Sequence, residues 1–184
     1  MISYSTYMNS IRLYPPLRFN CKVSSNKEEL ERLHVQYNWI PGLNNIRPSK
    51  EIIYKKYVDI IFIPLLYKSM KDYIYINHFK FKPTLEKDAN SAKVSLKCLP
   101  KDVDIKKIFV ENEYPYDLPP GTNHYVLWYS HPDLTRNDWK INKDIYDSLF
   151  KLLKNKNFEF VWYENPKMSI PEIFHVQVFW HVAF

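Results

Sequence analysis

The sequence predicts an α+β domain, with a helical first half packed on a mostly antiparallel sheet formed by the second half. Three observations predict it. Apolar residues recur at helical spacing between residues 26 and 74. Short runs rich in aromatic and β-branched residues stand at 106–111, 124–129, 158–163 and 174–182. One amphipathic segment, 142–154, interrupts those runs. Helices gathered first and strands later suit an α+β class with helices on one side of the sheet.

Taken in order, residues 1–24 read as an irregular arm, because Pro15-Pro16 blocks regular structure. The mainly helical part, 25–82, opens at Ser25-Asn26, which offers an N-cap. Glu28 and Glu29 follow in the first turn, where the helix dipole favours acids. Leu30, Leu33 and Tyr37 then predict a helix over 26–37, ended by Pro41-Gly42. Ser49 caps a second helix through Ile52, Ile53, Tyr57 and Ile60, which Pro64 is expected to interrupt. Leu65, Leu66, Met70, Tyr73 and Ile74 predict a third, although Tyr73 to Ile76 also suits a strand. Residues 83–103 read as a polar connection with weak structure.

The α+β part, 104–184, starts with a short strand at Lys106 to Glu111. A proline-stiffened turn from Tyr114 to Gly121 follows, in which Gly121 is free to take positive φ. His124 to Tyr129 is a strong strand, and Ile145, Leu149, Leu152 and Leu153 define the helix at 142–154. Phe158 to Tyr163 is a strand. Pro166 and Pro171 bracket a loop, and Phe174 to Val182 is a further strand. No repeat and no boundary divides the chain, so 1–184 reads as a single domain.

Composition narrows the function. The chain has 184 residues, 17% aromatic, with 15 Tyr and only 2 Gly. That bias matches coding in an AT-rich genome, such as those of many large viruses or protists. The net charge of +6 suits phosphate-bearing partners, yet the basic residues are dispersed and form no dense block. Cys21 and Cys98 form no CxxC pair, and the six histidines form no HxH or HxxxH pair, so no metal centre is predicted. Two glycines cannot build a Walker loop or a GxGxxG turn, and no GxSxG elbow occurs. No cofactor is implied. Val58 to Leu66 falls far short of the ~20 apolar residues of a membrane span. The expectation is a cytoplasmic protein with no membrane partner.

Strand alternation singles out the segment from 174 to 182. Phe174, Val176, Val178, Trp180 and Val182 share one apolar face, expected to pack on the core. His175, Gln177, Phe179 and His181 share the other, expected to be accessible. An imidazole there suits a nucleophile or general base, and a neighbouring carboxamide donates hydrogen bonds to a phosphoryl oxygen. In the preceding loop, Asn165, Lys167 and Ser169 suit an anion cradle. Asp117 and His124 are expected to face one another across the Pro-Pro-Gly turn. Of the tryptophans, Trp39 and Trp139 lie near loops, whereas Trp128, Trp162 and Trp180 belong to strands and read as interior.

Two segments carry a family resemblance. Asn112-Glu113-Tyr114-Pro115-Tyr116-Asp117-Leu118-Pro119-Pro120-Gly121, followed by His124-Tyr125-Val126-Leu127-Trp128, resembles the central motif of the fungal N-acetylglucosamine-induced protein family. Trp162-Tyr163-Glu164-Asn165-Pro166 and Ser169-Ile170-Pro171-Glu172-Ile173-Phe174-His175-Val176 resemble its later motif. That family brings no biochemistry to carry over, and the resemblance spans about two-thirds of the chain.

More remotely, Ile173-Phe174-His175-Val176-Gln177 is similar to the His-x-His-x-Gln strand of branches of the histidine-triad superfamily, so the resemblance implies a histidine-triad-like (HIT-like) α+β fold. It also implies that His175 is the phosphoramidate-forming nucleophile and Gln177 holds a phosphoryl oxygen, the catalytic pair. Asn165 and Ser169 would sit in the phosphate loop. Apart from the resemblance, Lys167 joins them as a phosphate-binding candidate from the loop's own residues, and Asn112, Asp117 and His124 are further site candidates. Two departures stand out: Ile173 occupies the first triad position, and Pro166-Lys167 replaces the usual glycines. The implied partner is a nucleotide or another phosphate-bearing small molecule, hydrolysed or transferred. The alternatives are a non-catalytic binder of a nucleotide, an RNA cap or single-stranded RNA, and a viral domain that engages a protein partner through its first 100 residues.

Overall fold

The computed structural model describes residues 11–12, 48–88, 91–95, 105–118, 120–131, 137–154, 156–164 and 168–182. The expected helix at 26–37, Trp39, Asn165 and Lys167 lie outside the described residues. The elements run β1 (Ile11–Arg12), α1 (Lys50–Leu66), α2 (Met70–Asn77), β2 (Thr84–Asp88), β3 (Ser91–Ser95), β4 (Lys107–Glu111), β5 (Thr122–Tyr129), α3 (Asp138–Leu153), β6 (Phe158–Tyr163) and β7 (His175–Val182). The fold is α+β, and every strand pairing within its two sheets is antiparallel.

Local chemistry sets the helix starts. The Ser49 hydroxyl accepts from the Ile52 N–H, the Ser69 hydroxyl from Asp72, and the Asn137 carboxamide from Lys140. Each satisfies one of the donors that a first helical turn leaves without a partner. Pro64 does not interrupt α1 as expected; it sits inside the helix, whose end at Leu66 is two residues away. A proline there removes one backbone bond from the last turn, where the next helix start already forces a break. Tyr73 to Ile76 is helical, within α2, and not a strand.

The connection at 83–103, expected to have weak structure, is in part a hairpin. Thr84 pairs with Ser95 and Asp88 with Ser91. Tyr67 bridges to Val94, and the Lys68 N–H donates to the Val94 carbonyl at 3.0 Å. Polar segments can still satisfy one another's backbone groups in this way.

The main sheet has the order β1-β6-β7-β5-β4, so β7 is its middle strand. Gly121, at φ +86°, makes the turn into β5, as its freedom from a Cβ predicts. One face of the sheet packs on α3. Leu127, Tyr129, Phe158, Phe160, Trp162, Val176, Val178 and Trp180 meet Ile141, Ile145, Tyr146 and Leu149 there. The other face carries a second cluster, in which Val126, Trp128 and Ile173 pack with Ile74, Tyr75, Phe79 and Phe81 of the α2 region. The Tyr75 hydroxyl fastens α2 to the end of β5 by donating to the Ser130 carbonyl at 3.0 Å.

Helices therefore cover both faces of the sheet, not one. This overturns the expectation of an accessible face on β7. The alternation of that strand holds, but His175, Gln177, Phe179 and His181 are 4%, 9%, 0% and 7% exposed. Period-two patterning separates the two faces of a strand; it does not say whether the polar one is also covered.

Candidate functional site

Between the sheet and the α1–α2 layer lies a cavity of about 410 Å³. Its floor is β5 and β7, through His124, Val126, Trp128, His175 and Gln177. One wall is the segment after β4, with Asn112, Glu113, Tyr114 and Tyr116. The helices contribute Lys56, Ile60, Met70, Tyr73 and Ile74, the α2 C-cap adds His78, and the approach to β7 adds Ser169 and Ile170. Such a volume, mostly apolar with a few convergent polar groups, suits a small organic ligand.

His175 is held on two sides. Its Nδ1 lies 2.8 Å from the Ile173 carbonyl, an acceptor, so Nδ1 carries the proton and Nε2 keeps its lone pair. Its ring stacks on Trp128, the residue opposite it in the β5–β7 register, with centroids 4.2 Å apart. Burial pushes the imidazole below its ordinary value, partly opposed by the bond to Ile173, so the neutral form prevails at neutral pH.

Gln177 lies one pleat further along the same face. Its Oε1 receives Asn112 Nδ2 at 3.0 Å and His124 Nε2 at 2.7 Å. The His124 Nδ1 accepts from the Tyr116 backbone N–H at 3.2 Å, which makes Nε2 the protonated nitrogen. Asn112 Nδ2 and His124 Nε2, 3.1 Å apart, are then two donors converging on one oxygen. Burial pushes His124 down to about 4, against a smaller opposing effect of the Gln177 bond. Phe179 stacks on the His124 ring at 4.3 Å, and Tyr116 covers it at 4.7 Å.

A second polar group stands at the wall. Glu113 Oε1 accepts from the Tyr73 hydroxyl at 2.9 Å and faces His78 Nε2 at 3.3 Å. The His78 hydrogen bond, then that of Tyr73, lowers the Glu113 carboxyl against its desolvation, so it is ionised at neutral pH. Tyr114 donates to Asp59 at 3.0 Å, with Lys55 Nζ 4.6 Å above its ring. Lys56 and two carboxylates, Glu111 and Glu113, line the cavity together. The described lining is accordingly not strongly basic.

Of the residues singled out in the sequence, the structure brings together His175, Gln177, Asn112, His124 and Ser169. Asp117 does not join them. It is exposed, while His124 turns its two nitrogens to Gln177 and the Tyr116 N–H, so the expected Asp117–His124 pair does not form. Asn165 and Lys167 are outside the described residues.

Trp128 is interior as expected, but it also lines the cavity, while Trp139 is exposed and does not. Glu113, Tyr114 and Tyr116 also line the cavity, and their only signal in the sequence is the motif they share with Asn112. Tyr73, on the face of α2 that meets the sheet, and His78, the C-cap of that helix, carry no further signal in the sequence. Among the described residues no cluster of His, Cys, Asp and Glu is placed to hold a metal ion, and no helix is long and apolar enough to cross a membrane.

No protein-family model matches the chain, and no curated protein matches it. A solved structure described as "Crystal Structure of HTC1" aligns over 85% of this chain and 85% of its own, at 16% identity and a TM-score of 0.46. A likeness that loose carries no argument about either fold or function.

Proposed function

We propose that the cavity binds a nucleotide or a related phosphate ester, in the manner of a HIT-like protein, and that His175 is its nucleophile. The observation that carries this reading is the Nδ1 bond of His175 to the Ile173 carbonyl, which leaves Nε2 as the basic, nucleophilic nitrogen of a ring lining the cavity. In the reaction, Nε2 attacks phosphorus and forms an N–P bond. The P–O bond to the leaving group breaks, and the departing oxygen takes up a proton. Water then cleaves the N–P bond and restores the imidazole. Gln177, beside His175, supplies amide hydrogen bonds to a phosphoryl oxygen, and Ser169 lines the same cavity. Aromatic and aliphatic walls suit a nucleobase, since a planar ring stacks on them. Recognition here relies on directed hydrogen bonds, because Lys56 is balanced by Glu111 and Glu113. The His-x-Gln spacing on β7 supports the same reading.

A second reading is favoured by one observation. The side chain of Ile173, at the first triad position, is fully buried in the apolar cluster and offers no polar group to a ligand. The cavity would then hold a nucleotide, an RNA cap or a strand end without turning it over. One experiment separates the two. The protein and its His175→Ala variant are screened against mononucleotides, dinucleoside polyphosphates and cap analogues for thermal stabilisation and for turnover. Ligand at 100 times its Kd stabilises by about 2.7 kcal/mol. Turnover lost in His175→Ala supports the nucleophile, and stabilisation without turnover selects the binding module. Turnover that survives the substitution removes His175 from the mechanism, and no stabilisation by any nucleotide sinks both readings.

A further inference from the structure

Two backbone N–H groups fix the polarity of the cavity floor. The Tyr114 N–H donates to Asn112 Oδ1 at 2.8 Å, so the Asn112 carboxamide has its oxygen committed and its NH2 left to donate elsewhere. The Tyr116 N–H donates to His124 Nδ1 at 3.2 Å, which commits that nitrogen as acceptor and leaves Nε2–H to donate. Both remaining donors point at the same atom, Gln177 Oε1, at 3.0 and 2.7 Å. A backbone N–H cannot reverse its role, whereas a side-chain amide can turn over. Turning Gln177 would set its NH2 against two donors. Turning Asn112 would set its NH2 against the Tyr114 N–H. Moving the His124 proton to Nδ1 would set it against the Tyr116 N–H. Each alternative leaves buried donors facing donors, an arrangement that costs more than a lost bond.

We infer that Asn112 and His124, set by the Tyr114 and Tyr116 backbone, lock the Gln177 carboxamide with its NH2 to the cavity, so that this position accepts only ligand atoms that receive hydrogen bonds. Asn112 and His124 are thus positioning and specificity-determining residues acting through Gln177. Gln177 is 9% exposed and lines the cavity, and among the described residues its NH2 has no hydrogen-bond partner. The ligand class that fits is one presenting acceptor oxygens at this point, such as a phosphoryl group. A ligand whose matching atom is an N–H or O–H donor is rejected. The ligand side of this inference rests on the reading of the cavity as the binding site; the lock itself does not.

The test has two arms. In the first, imidazole 15N shifts report the His124 tautomer, and side-chain NOEs report which groups surround the Gln177 NH2. An Nε2–H tautomer, with the Gln177 NH2 near cavity residues, is expected. An Nδ1–H tautomer, or an NH2 lying against the His124 ring, overturns the lock whether or not any ligand binds.

In the second arm, adenosine 5′-monophosphate and inorganic phosphate are titrated into the wild type, Asn112→Ala and Asn112→Asp. Asn112→Asp keeps the acceptor for Tyr114 and puts a second carboxylate oxygen where Nδ2 stood, 3.1 Å from His124 Nε2, so that oxygen takes the His124 proton donor and also faces Gln177 with an acceptor; the amide then turns over and presents Oε1 to the cavity. Affinity is expected to fall at least ~tenfold, about 1.4 kcal/mol, with Asn112→Ala between the two. The Gln177 NOEs should move with it. Asn112→Ala binding as tightly as wild type, even if less stable to urea, would reduce Asn112 to a structural role and the loss in Asn112→Asp to charge repulsion. Failure of the wild type to bind either probe counts against the nucleotide reading, while the first arm still decides the lock.

Discussion

Trp128 and His175 stand opposite one another across β5 and β7, with ring centroids 4.2 Å apart and planes 30° from parallel. The indole covers one face of the imidazole, and the Ile173 carbonyl holds its Nδ1. What remains available is the edge that bears Nε2. The same contact removes water from the ring and so disfavours its charged form.

Ligand entry should therefore be visible through Trp128. Of the described tryptophans, Trp162 and Trp180 belong to the opposite face of the sheet, and Trp139 is exposed away from the cavity. A change in intrinsic fluorescence on adding nucleotide is expected in the wild type and should disappear in Trp128→Phe, while thermal stabilisation persists. A fluorescence change undiminished in Trp128→Phe would place binding elsewhere.

Stability should fall on mild acidification. His124 and His175 both bind a proton less readily folded than unfolded, because burial lowers each. Their contribution is complete above the ordinary value of 6.5 and is lost as pH drops from there through the folded value, about 4 for His124. The shift for His124 corresponds to roughly 3 kcal/mol. Urea midpoints measured between pH 7 and 4 should decline, and His124→Gln should flatten most of that decline. A wild-type midpoint constant over this window would contradict the burial of both rings.

The docking face of α3 is open to a paired test. Leu149 is fully buried against the sheet, while Leu152, three residues on, is 46% exposed. Leu149→Ala is expected to cost about 2–5 kcal/mol and Leu152→Ala under about 0.5 kcal/mol, by chemical denaturation. Similar losses at the two positions would mean that the helix is rotated about its axis relative to the sheet.

Asp144 joins α3 to the sheet through polar groups. Its carboxylate accepts from the buried Tyr129 hydroxyl at 2.9 Å and pairs with Lys107. Asp144→Ala strands the Tyr129 hydroxyl and should destabilise by about 3 kcal/mol, whereas Asp144→Asn keeps an acceptor and should cost less. In the Asp144→Ala background, Tyr129→Phe should recover part of the loss. No recovery in that double variant would show that Tyr129 finds another acceptor.

Local chemistry was legible in the sequence, and long-range pairing was not. Ser49 as a cap, Gly121 as a turn and the alternation of Val176, Val178 and Trp180 all express interactions within a few residues. His175 and Gln177 could be placed side by side because a strand fixes their spacing. Their partners could not. Asn112 lies 65 residues and His124 53 residues from Gln177 in the chain, and only the register of the sheet brings the three together. The covering of that face by α2 is likewise a long-range event, so the polar side of β7 read as open. Pro64 misled for the opposite reason, since a local penalty in a last turn is small enough for the helix to absorb.

The position of β7 between β5 and β6 has a consequence for synthesis on the ribosome. Both neighbours precede it in the chain, and neither touches the other across the sheet. Until residues 175–182 clear the exit tunnel, each offers an open edge to whatever is nearby. The strand that would carry the chemistry is thus also the one whose arrival ends that exposure, so a nascent chain stalled before it is a natural client for chaperones.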